Sequence, residues 1–130
     1  MSMEIYTPND IDIIHKTKVD FRKRPVQNEI HLVQYDKTLP VVEVELLYNG
    51  NTYICPVESE VFVRWCNKDL TFVYKKCKVS TDRTKVYFEV DEYMSKYSGK
   101  VSPIMELNIG EKASGSSPLL ILIDRNPMRR

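Results

Sequence analysis

The sequence is poor in the residues on which phosphate-binding and hydrolytic motifs depend. It has 4 glycines among 130 residues, too few for a glycine-rich phosphate loop, and neither a Walker loop nor GxGxxG occurs. The GxSxG motif of a nucleophile elbow is also absent. These absences argue against nucleotide-binding proteins and α/β-hydrolases, and we predict neither an enzyme nor a cofactor.

Excess charge, long apolar runs and paired cysteines are missing too. The 19 Lys and Arg residues nearly balance the 18 Asp and Glu residues, so the net charge of +1 predicts no general attraction to nucleic acid. No apolar run approaches the roughly 20 residues of a membrane span. An odd set of cysteines, Cys55, Cys66 and Cys77, with no CxxC pair, predicts buried, reduced thiols. His15 and His31 are not spaced as zinc ligands, so no metal site is predicted.

Apolar and polar side chains alternate with a period of two through much of the chain. In residues 41–48, Val44 faces one side with its apolar neighbours while Glu45 faces the other, the pattern of a half-buried strand. Asn49-Gly50 follows and predicts a type I′ hairpin turn, because both residues tolerate a positive φ. Further strands are predicted at residues 30–33, 60–67, 70–78, 85–90, 100–109 and 118–124.

Two segments interrupt this alternation. Residues 91–97 predict a short helix, because Asp91 suits an N-cap and Gly99 lies where a C-cap would fall. Residues 111–117 predict a flexible loop. Trp65 is in phase with the apolar residues of its strand, so core packing is predicted for it in preference to ligand stacking.

The pattern as a whole predicts an all-β protein, an antiparallel β-sandwich of the immunoglobulin-like or jelly-roll-like kind. The sandwich domain is predicted at residues 29–127. Residues 1–28 are interpreted as an N-terminal arm or extended segment, with one extended piece at residues 11–21, and residues 128–130 as a C-terminal tail.

The candidate functional residues lie at turns and strand ends, and we interpret them as a protein interface. Aromatic and Arg side chains are the types that dominate such interfaces. The basic cluster beginning at Arg22 is either a solvated turn or a contact with an acidic protein neighbour. The predicted interface residues are Arg22, Arg24, Tyr35, Tyr53, Tyr93 and Tyr97.

The order of segments carries a family resemblance. An opening strand at residues 30–37 precedes the strand that runs into Tyr48-Asn49-Gly50; the passage 86–100 and a closing apolar strand at 117–123 follow. This succession, over residues 29–127, resembles the N-terminal domain of phage upper baseplate proteins of Siphoviridae-type tails. Residues 1–28 match poorly, and a turn at residues 67–69 replaces the usual Asp-Gly dipeptide.

The resemblance implies a structural component of a phage or prophage tail baseplate, located in the virion and assembled in the cytoplasm of the bacterial host. It implies an adaptor that docks on the tail hub or distal tail protein and links to a receptor-binding protein. We expect a homo-oligomer that contacts other baseplate proteins and neither binds nucleic acid nor spans a membrane. Its contacts with its neighbours are expected through edge strands, the N-terminal arm and the aromatic residues of turns.

Two other functions compete with this hypothesis. A carbohydrate-binding or adhesin-type β-sandwich module would use exposed aromatic rings to stack on sugars. A small enzyme would need a cysteine near His15 or His31, or a working carboxylate pair such as Glu43 and Glu45. No local motif supports the enzyme, and carboxylates two residues apart on a polar strand face are typical of solvated surface.

Overall fold

The computed structural model describes residues 3–126, and this part of the chain is all-β. It contains no helix, and hence none that could span a membrane. The predicted tail at residues 128–130, with its two arginines, lies outside the described residues. The strands within residues 3–126 are β1 (Ile13–Asp20), β2 (Ile30–Val33), β3 (Pro40–Tyr48), β4 (Asn51–Thr52), β5 (Ser59–Cys66), β6 (Phe72–Lys76), β7 (Lys78–Val79), β8 (Lys85–Glu89), β9 (Gly99–Val101), β10 (Ile104–Ile109), β11 (Lys112–Gly115) and β12 (Ile121–Asp124).

The strands form three sheets. The first has the order β1-β3-β8-β7 with β4 also paired to β3, the second β11-β10-β5-β6, and the third β2-β12-β9. Two pairs, β1 with β3 and β2 with β12, are parallel. The prediction of a purely antiparallel fold is therefore wrong for these two pairs. It assumed pairing through short turns, whereas parallel partners need a long crossover, here the chain between β1 and β3 that passes through β2.

One hydrophobic core draws on all three sheets. Val44 of the first sheet, Trp65 of the second and Ile123 of the third belong to the same cluster of buried side chains. Trp65 is completely buried, which confirms its predicted packing role. The period-two pattern produces this core because alternate side chains of each strand point to one face of its sheet.

The N-terminal residues contribute to the same core. The extended piece predicted at residues 11–21 is confirmed as β1, and its Val19 is fully buried. Met3 is 5% exposed, and its sulfur lies 3.3 Å from the backbone nitrogen of Val61. Residues of the predicted arm thus pack on the chain's own sheets, while the division of the chain at residue 28 stays a prediction.

The helix predicted at residues 91–97 is not present; that segment forms a turn. Asp91 does cap it, since its Oδ1 accepts a hydrogen bond from the Met94 nitrogen at 2.9 Å. Within this described segment one bond of α-helical span forms, from the Ser95 nitrogen to the Asp91 carbonyl at 3.2 Å, and a single helical turn is unfavourable without further bonds. The Ser95 carbonyl accepts from the Tyr35 nitrogen at 3.0 Å, and the Lys96 carbonyl from the Gln34 side chain at 2.8 Å, so the turn is joined to the residues that follow β2.

Two other local predictions were tested by the structure. Asn49 and Gly50 have φ values of 52° and 85°, which confirms the predicted hairpin turn after β3. The prediction of a flexible loop at residues 111–117 is wrong for the part that forms β11. This strand pairs with β10, although its side chains are exposed. No apolar pattern marks such a strand, because only its backbone is held by its neighbour.

Pro103 divides the strand predicted at residues 100–109. The part before it is β9, which pairs with β12, and the part after it is β10, which pairs with β5. A proline cannot donate to a ladder of hydrogen bonds, so it falls where the chain leaves one sheet for another.

Candidate protein-interaction surfaces

The turn at residues 91–97 and the end of β2 bring three predicted interface tyrosines into one region. The Tyr35 nitrogen donates to the Ser95 carbonyl at 3.0 Å, and the Ser95 hydroxyl donates to the Asp36 carbonyl at 2.7 Å. Tyr93 and Tyr97 belong to this same turn. Tyr35 is half-buried and has a φ of 71°, an uncommon conformation for an aromatic residue.

The same turn is also bonded to the connection between β5 and β6. The Asn67 side-chain nitrogen donates to the Tyr93 carbonyl at 3.0 Å, and the Tyr97 hydroxyl donates to Asp69 Oδ2 at 3.0 Å. The pKa of Asp69 is lowered mainly by hydrogen bonds from Thr71, and to a smaller extent by the hydrogen bond from Tyr97. Tyr97 is therefore held inside the protein's own network, whereas the Tyr93 side chain is 67% exposed.

Strand β6 presents exposed aromatic rings next to this turn. Phe72 is 70% and Tyr74 52% exposed, and both line a groove of about 520 Å³ together with Tyr93. The Tyr74 ring stacks on Phe62 at a centroid distance of 4.5 Å, and its hydroxyl donates to Glu106. We call Phe72, Tyr74 and Tyr93 the β6 aromatic surface; exposed apolar groups gathered in this way are typical of contact sites.

The backbone of β6 is also open on its outer side. The Cys77 nitrogen bonds the Val61 carbonyl at 2.8 Å, and the Asn67 nitrogen bonds the Thr71 carbonyl at 2.9 Å. In an antiparallel ladder this register turns the N–H and C=O groups of Phe72 and Tyr74 away from β5. Since β6 ends its sheet within residues 3–126, this edge is suited to accept an added strand.

A second region is built around Asp20, the last residue of β1, which is 1% exposed. Its Oδ1 accepts hydrogen bonds from the backbone nitrogens of Arg22, Lys23 and Asn49 at 2.8, 3.1 and 2.9 Å, and its Oδ2 accepts from Gly50 at 2.7 Å. Burial acts to raise the pKa of Asp20, but these bonds outweigh it and lower the pKa to about 2. One carboxylate thus fastens the basic turn to the β3–β4 hairpin.

The basic turn carries its cations at the surface. The side chains of Arg22, Lys23 and Arg24 are exposed, and none of them forms an ion pair with a residue in the described range 3–126. They line a cleft of about 310 Å³ together with Ser116 and Ser117. We call this the basic cleft.

Tyr53 supports the basic turn from within. It is half-buried, and its ring lies 5.7 Å from that of Phe21, which precedes the turn. Burial raises the pKa of the Tyr53 hydroxyl. Its ring is therefore less available to a partner than those of the β6 aromatic surface.

The six predicted interface residues accordingly fall into two groups at the two ends of β3. Asp20, which anchors the turn of Arg22 and Arg24, lies opposite Leu47 near the end of that strand. Tyr35 and the turn at residues 91–97 adjoin its start, because the Thr38 nitrogen bonds the Val90 carbonyl at 2.7 Å. A nine-residue strand separates the groups by about 25 Å.

The remaining reactive side chains do not gather into a recognisable site. No group of three His, Cys, Asp or Glu residues within residues 3–126 is placed to hold a metal ion. His31 lies 3.3 Å from Glu29 and 3.7 Å from Asp124, and the Glu43 carboxylate accepts a hydrogen bond from Tyr87 at 2.8 Å. Half-buried His15 has its pKa lowered by burial.

The cysteines depart in part from the prediction of buried thiols. Cys55 and Cys77 are buried, and burial raises the pKa of each thiol. Cys66 is exposed, because the strand alternation that buries Trp65 turns the next side chain outward. All three thiols are free, as predicted.

The β6 aromatic surface was only partly predicted from the sequence. Tyr93 was singled out, but Phe72 and Tyr74 were not, because Val73 and Cys77 on the opposite face of this segment are also apolar. Because both faces of the segment are apolar, the alternation alone does not tell which face is buried. Asp20 was missed because a single carboxylate after a strand resembles any surface residue.

Comparison with known proteins gives a likeness in structure only. No protein-family model matches the sequence, and no curated protein matches it. Among solved structures, the N-terminal domain of phage TP901-1 ORF48 superposes with a TM-score of 0.70, covering 85% of this chain and 98% of that chain at 7% identity. The chain therefore has the fold of that phage domain, and the resemblance predicted from segment order is confirmed at the level of the fold.

Proposed function

We propose that this protein is a structural adaptor domain of a phage or prophage tail baseplate. The observation that carries the proposal is the shared fold, which extends over nearly the whole of the N-terminal domain of phage TP901-1 ORF48, and the order of segments adds the resemblance to phage upper baseplate proteins. In this role the domain docks on the tail hub or distal tail protein and links it to receptor-binding proteins. It belongs to the virion and is assembled in the cytoplasm of the bacterial host.

Several finer features belong to the same proposal. The three sheets around one core support the predicted β-sandwich. The domain acts without catalysis, binds its neighbours as a homo-oligomer, and uses Arg22, Arg24, Tyr35, Tyr53, Tyr93 and Tyr97 at its interfaces. Isologous contacts are the commonest route to such an assembly.

The β6 aromatic surface is the docking surface in this proposal. Phe72 and Tyr74 combine exposed rings with outward backbone groups, so a partner strand gains hydrogen bonds from the edge and apolar contact from the rings. The charges of the strand are already balanced within the chain, since Lys75 lies 3.6 Å from Asp91 and Lys76 lies 2.8 Å from Glu60. Docking on this strand therefore buries Lys75 and Lys76 together with their ion-pair partners.

Co-purification with tail proteins tests this proposal. A tagged chain is expressed with the hub and distal tail proteins encoded beside it, and bound proteins are identified by mass spectrometry. We expect hub or distal tail protein to co-purify, and the double variant Phe72→Ser, Tyr74→Ser to weaken this by about tenfold or more. The control Ile54→Ser, Val57→Ser removes side chains of similar exposure, 64% and 63%, outside the surface.

A carbohydrate-binding function is the second candidate, favoured by the polar groups that share the groove with the aromatic rings. Asp69 and Asp91 line it beside Phe72, Tyr74 and Tyr93, a combination that also suits a sugar. A glycan-array signal that Tyr93→Ala abolishes, together with no retention of tail proteins, would favour this function over the adaptor.

A further inference from the structure

The basic cleft is held open between two segments that bond each other directly. The Asp20 nitrogen donates to the Ser117 hydroxyl oxygen at 3.1 Å, and the Ser117 nitrogen donates to the Asp20 carbonyl at 2.9 Å. One wall is the basic turn and the other is the segment of Gly115, Ser116, Ser117 and Pro118. These reciprocal bonds fix the separation of the walls, so the cleft exists before any ligand arrives.

The backbone that carries the cations is anchored as well. Asp20 accepts hydrogen bonds from the backbone nitrogens of Arg22 and Lys23, which hold the start of the turn. The Lys23 side chain lies over Gly50, where a Cβ would stand 3.1 Å from the Lys23 Nζ. A partner that binds here meets cations whose backbone is already ordered, which reduces the entropy lost on association.

The cleft is electropositive in spite of Asp20. Three cations, Arg22, Lys23 and Arg24, line it with one carboxylate, so two positive charges remain. The carboxylate oxygens of Asp20 already accept four backbone hydrogen bonds and leave little negative potential toward the opening. The Ser117 hydroxyl oxygen accepts from Asp20 and donates to no residue of the described range, so its proton is available to an anion.

We propose that the basic cleft is a docking site for acidic side chains of a partner protein. Arginine forks pair with carboxylates in two parallel hydrogen bonds, and about 310 Å³ accommodates one or two Asp or Glu side chains. The proposal deepens the proposed function and rests on it for the identity of the partner, a neighbouring baseplate protein. The cleft and the β6 aromatic surface then engage different partners, because they lie at opposite ends of β3.

The surroundings favour a protein over a nucleic acid. Single-stranded nucleic acid is bound by a series of cations along a groove and by exposed rings on which bases stack. The rings beside the basic turn, Phe21 and Tyr53, are half-buried against each other and offer no such platform. The cations are also confined to three consecutive residues, a footprint suited to one short acidic segment.

Titration of the isotope-labelled chain with a deca-glutamate peptide tests the site. At low ionic strength, we expect amide shifts in NMR spectra confined to residues 20–24 and 115–117. The charge-reversal variant Arg22→Glu, Arg24→Glu is expected to weaken peptide binding by about tenfold or more. The matched control Lys78→Glu, Lys100→Glu changes the net charge equally at exposed positions elsewhere and is expected to keep most of the affinity.

Three results would overturn the inference: equal loss of affinity in both double variants, shifts that lie outside the cleft, or an oligothymidylate that competes more strongly than the peptide. If charge reversal alters the fold, as seen in the spectrum without peptide, the neutral pair Arg22→Gln, Arg24→Gln replaces it with the same expected direction. Because the peptide assay contains no tail protein, its failure is distinct from failure of the co-purification experiment.

Discussion

Replacing Asp20 with Asn tests how the basic turn is fastened to the β3–β4 hairpin. The Asn side chain has the same shape, keeps one carbonyl oxygen and exchanges the other for an NH2 group. If that oxygen takes the place of Oδ1, it still accepts from Arg22, Lys23 and Asn49, while the NH2 group faces the Gly50 nitrogen, which donated to Oδ2 at 2.7 Å. The new NH2 group and the Gly50 N–H then face each other, and both are hydrogen-bond donors.

The expected magnitude follows from these bonds. Loss of a hydrogen bond to the buried carboxylate, together with loss of its charge, destabilises the protein by about 2 to 3 kcal/mol near neutral pH. The pKa of Asp20 gives a separate value: lowering from 3.8 to about 2, in a side chain that is 1% exposed, corresponds to about 2 kcal/mol.

The pH dependence has a definite sign. The folded pKa of Asp20 lies below the unfolded value, so its stabilisation is present above about pH 4 and is lost as the pH falls toward about 2. The gap in unfolding free energy between the natural protein and Asp20→Asn is therefore expected to narrow by about 2 kcal/mol over this range.

Urea unfolding followed by fluorescence measures this gap, and the single tryptophan, Trp65, is a fully buried reporter. The matched control is Asp82→Asn: hydrogen bonds from Ser80 and Thr84 also lower the pKa of Asp82 to about 2, but in an exposed turn. We expect a smaller effect there. A gap for Asp20→Asn that stays constant from neutral to acid pH would refute the role assigned to the carboxylate.

Two further predictions concern the hairpin turn and the thiols. Gly50→Ala is expected to lower the unfolding free energy by about 1 to 2 kcal/mol, because φ is +85°, a conformation that residues with a Cβ rarely adopt, while the exposed Lys23 amine near the new Cβ can move aside. Gly110→Ala, with φ +60° in the left-handed helical region and open space, should cost less in the same urea assay; a larger loss there would contradict the assignment of greater backbone strain at Gly50. With Ellman's reagent, we expect one thiol of the native protein, Cys66, to react rapidly and the others only after unfolding. Rapid reaction of all three thiols would show that Cys55 and Cys77 are not buried.

The parts of the fold that were predicted correctly are those encoded locally. Alternation placed β3, and Asn49-Gly50 placed its turn, because both depend on neighbours in the sequence. The parallel pairing of β1 with β3 could not be predicted in this way. It brings Val19 into a core formed by residues that are distant in the sequence, and the local pattern does not show which strands pair. The helix at residues 91–97 was mispredicted from the local signal of Asp91, which caps a single turn that is bonded to the residues after β2.

The candidate surfaces show a similar division. Exposure of Arg22, Arg24 and Tyr93 was predicted from their place in turns, and the structure has all three exposed. The anchoring of the basic turn by Asp20 was not predictable, because the hairpin it binds is 29 to 30 residues away in the chain. Such contacts exist only once the sheet has brought both turns together.

Localisation in purified particles tests most directly our proposal that this protein is part of a tail baseplate. Particles of the phage or prophage that encodes the chain are labelled with gold-conjugated antibody against it and viewed by electron microscopy, with mass spectrometry of the same preparation. If the protein is part of the baseplate, we expect peptides of the chain in the particles and gold at the distal end of the tail. Absence of the chain from intact particles, or gold confined to the capsid, would contradict it.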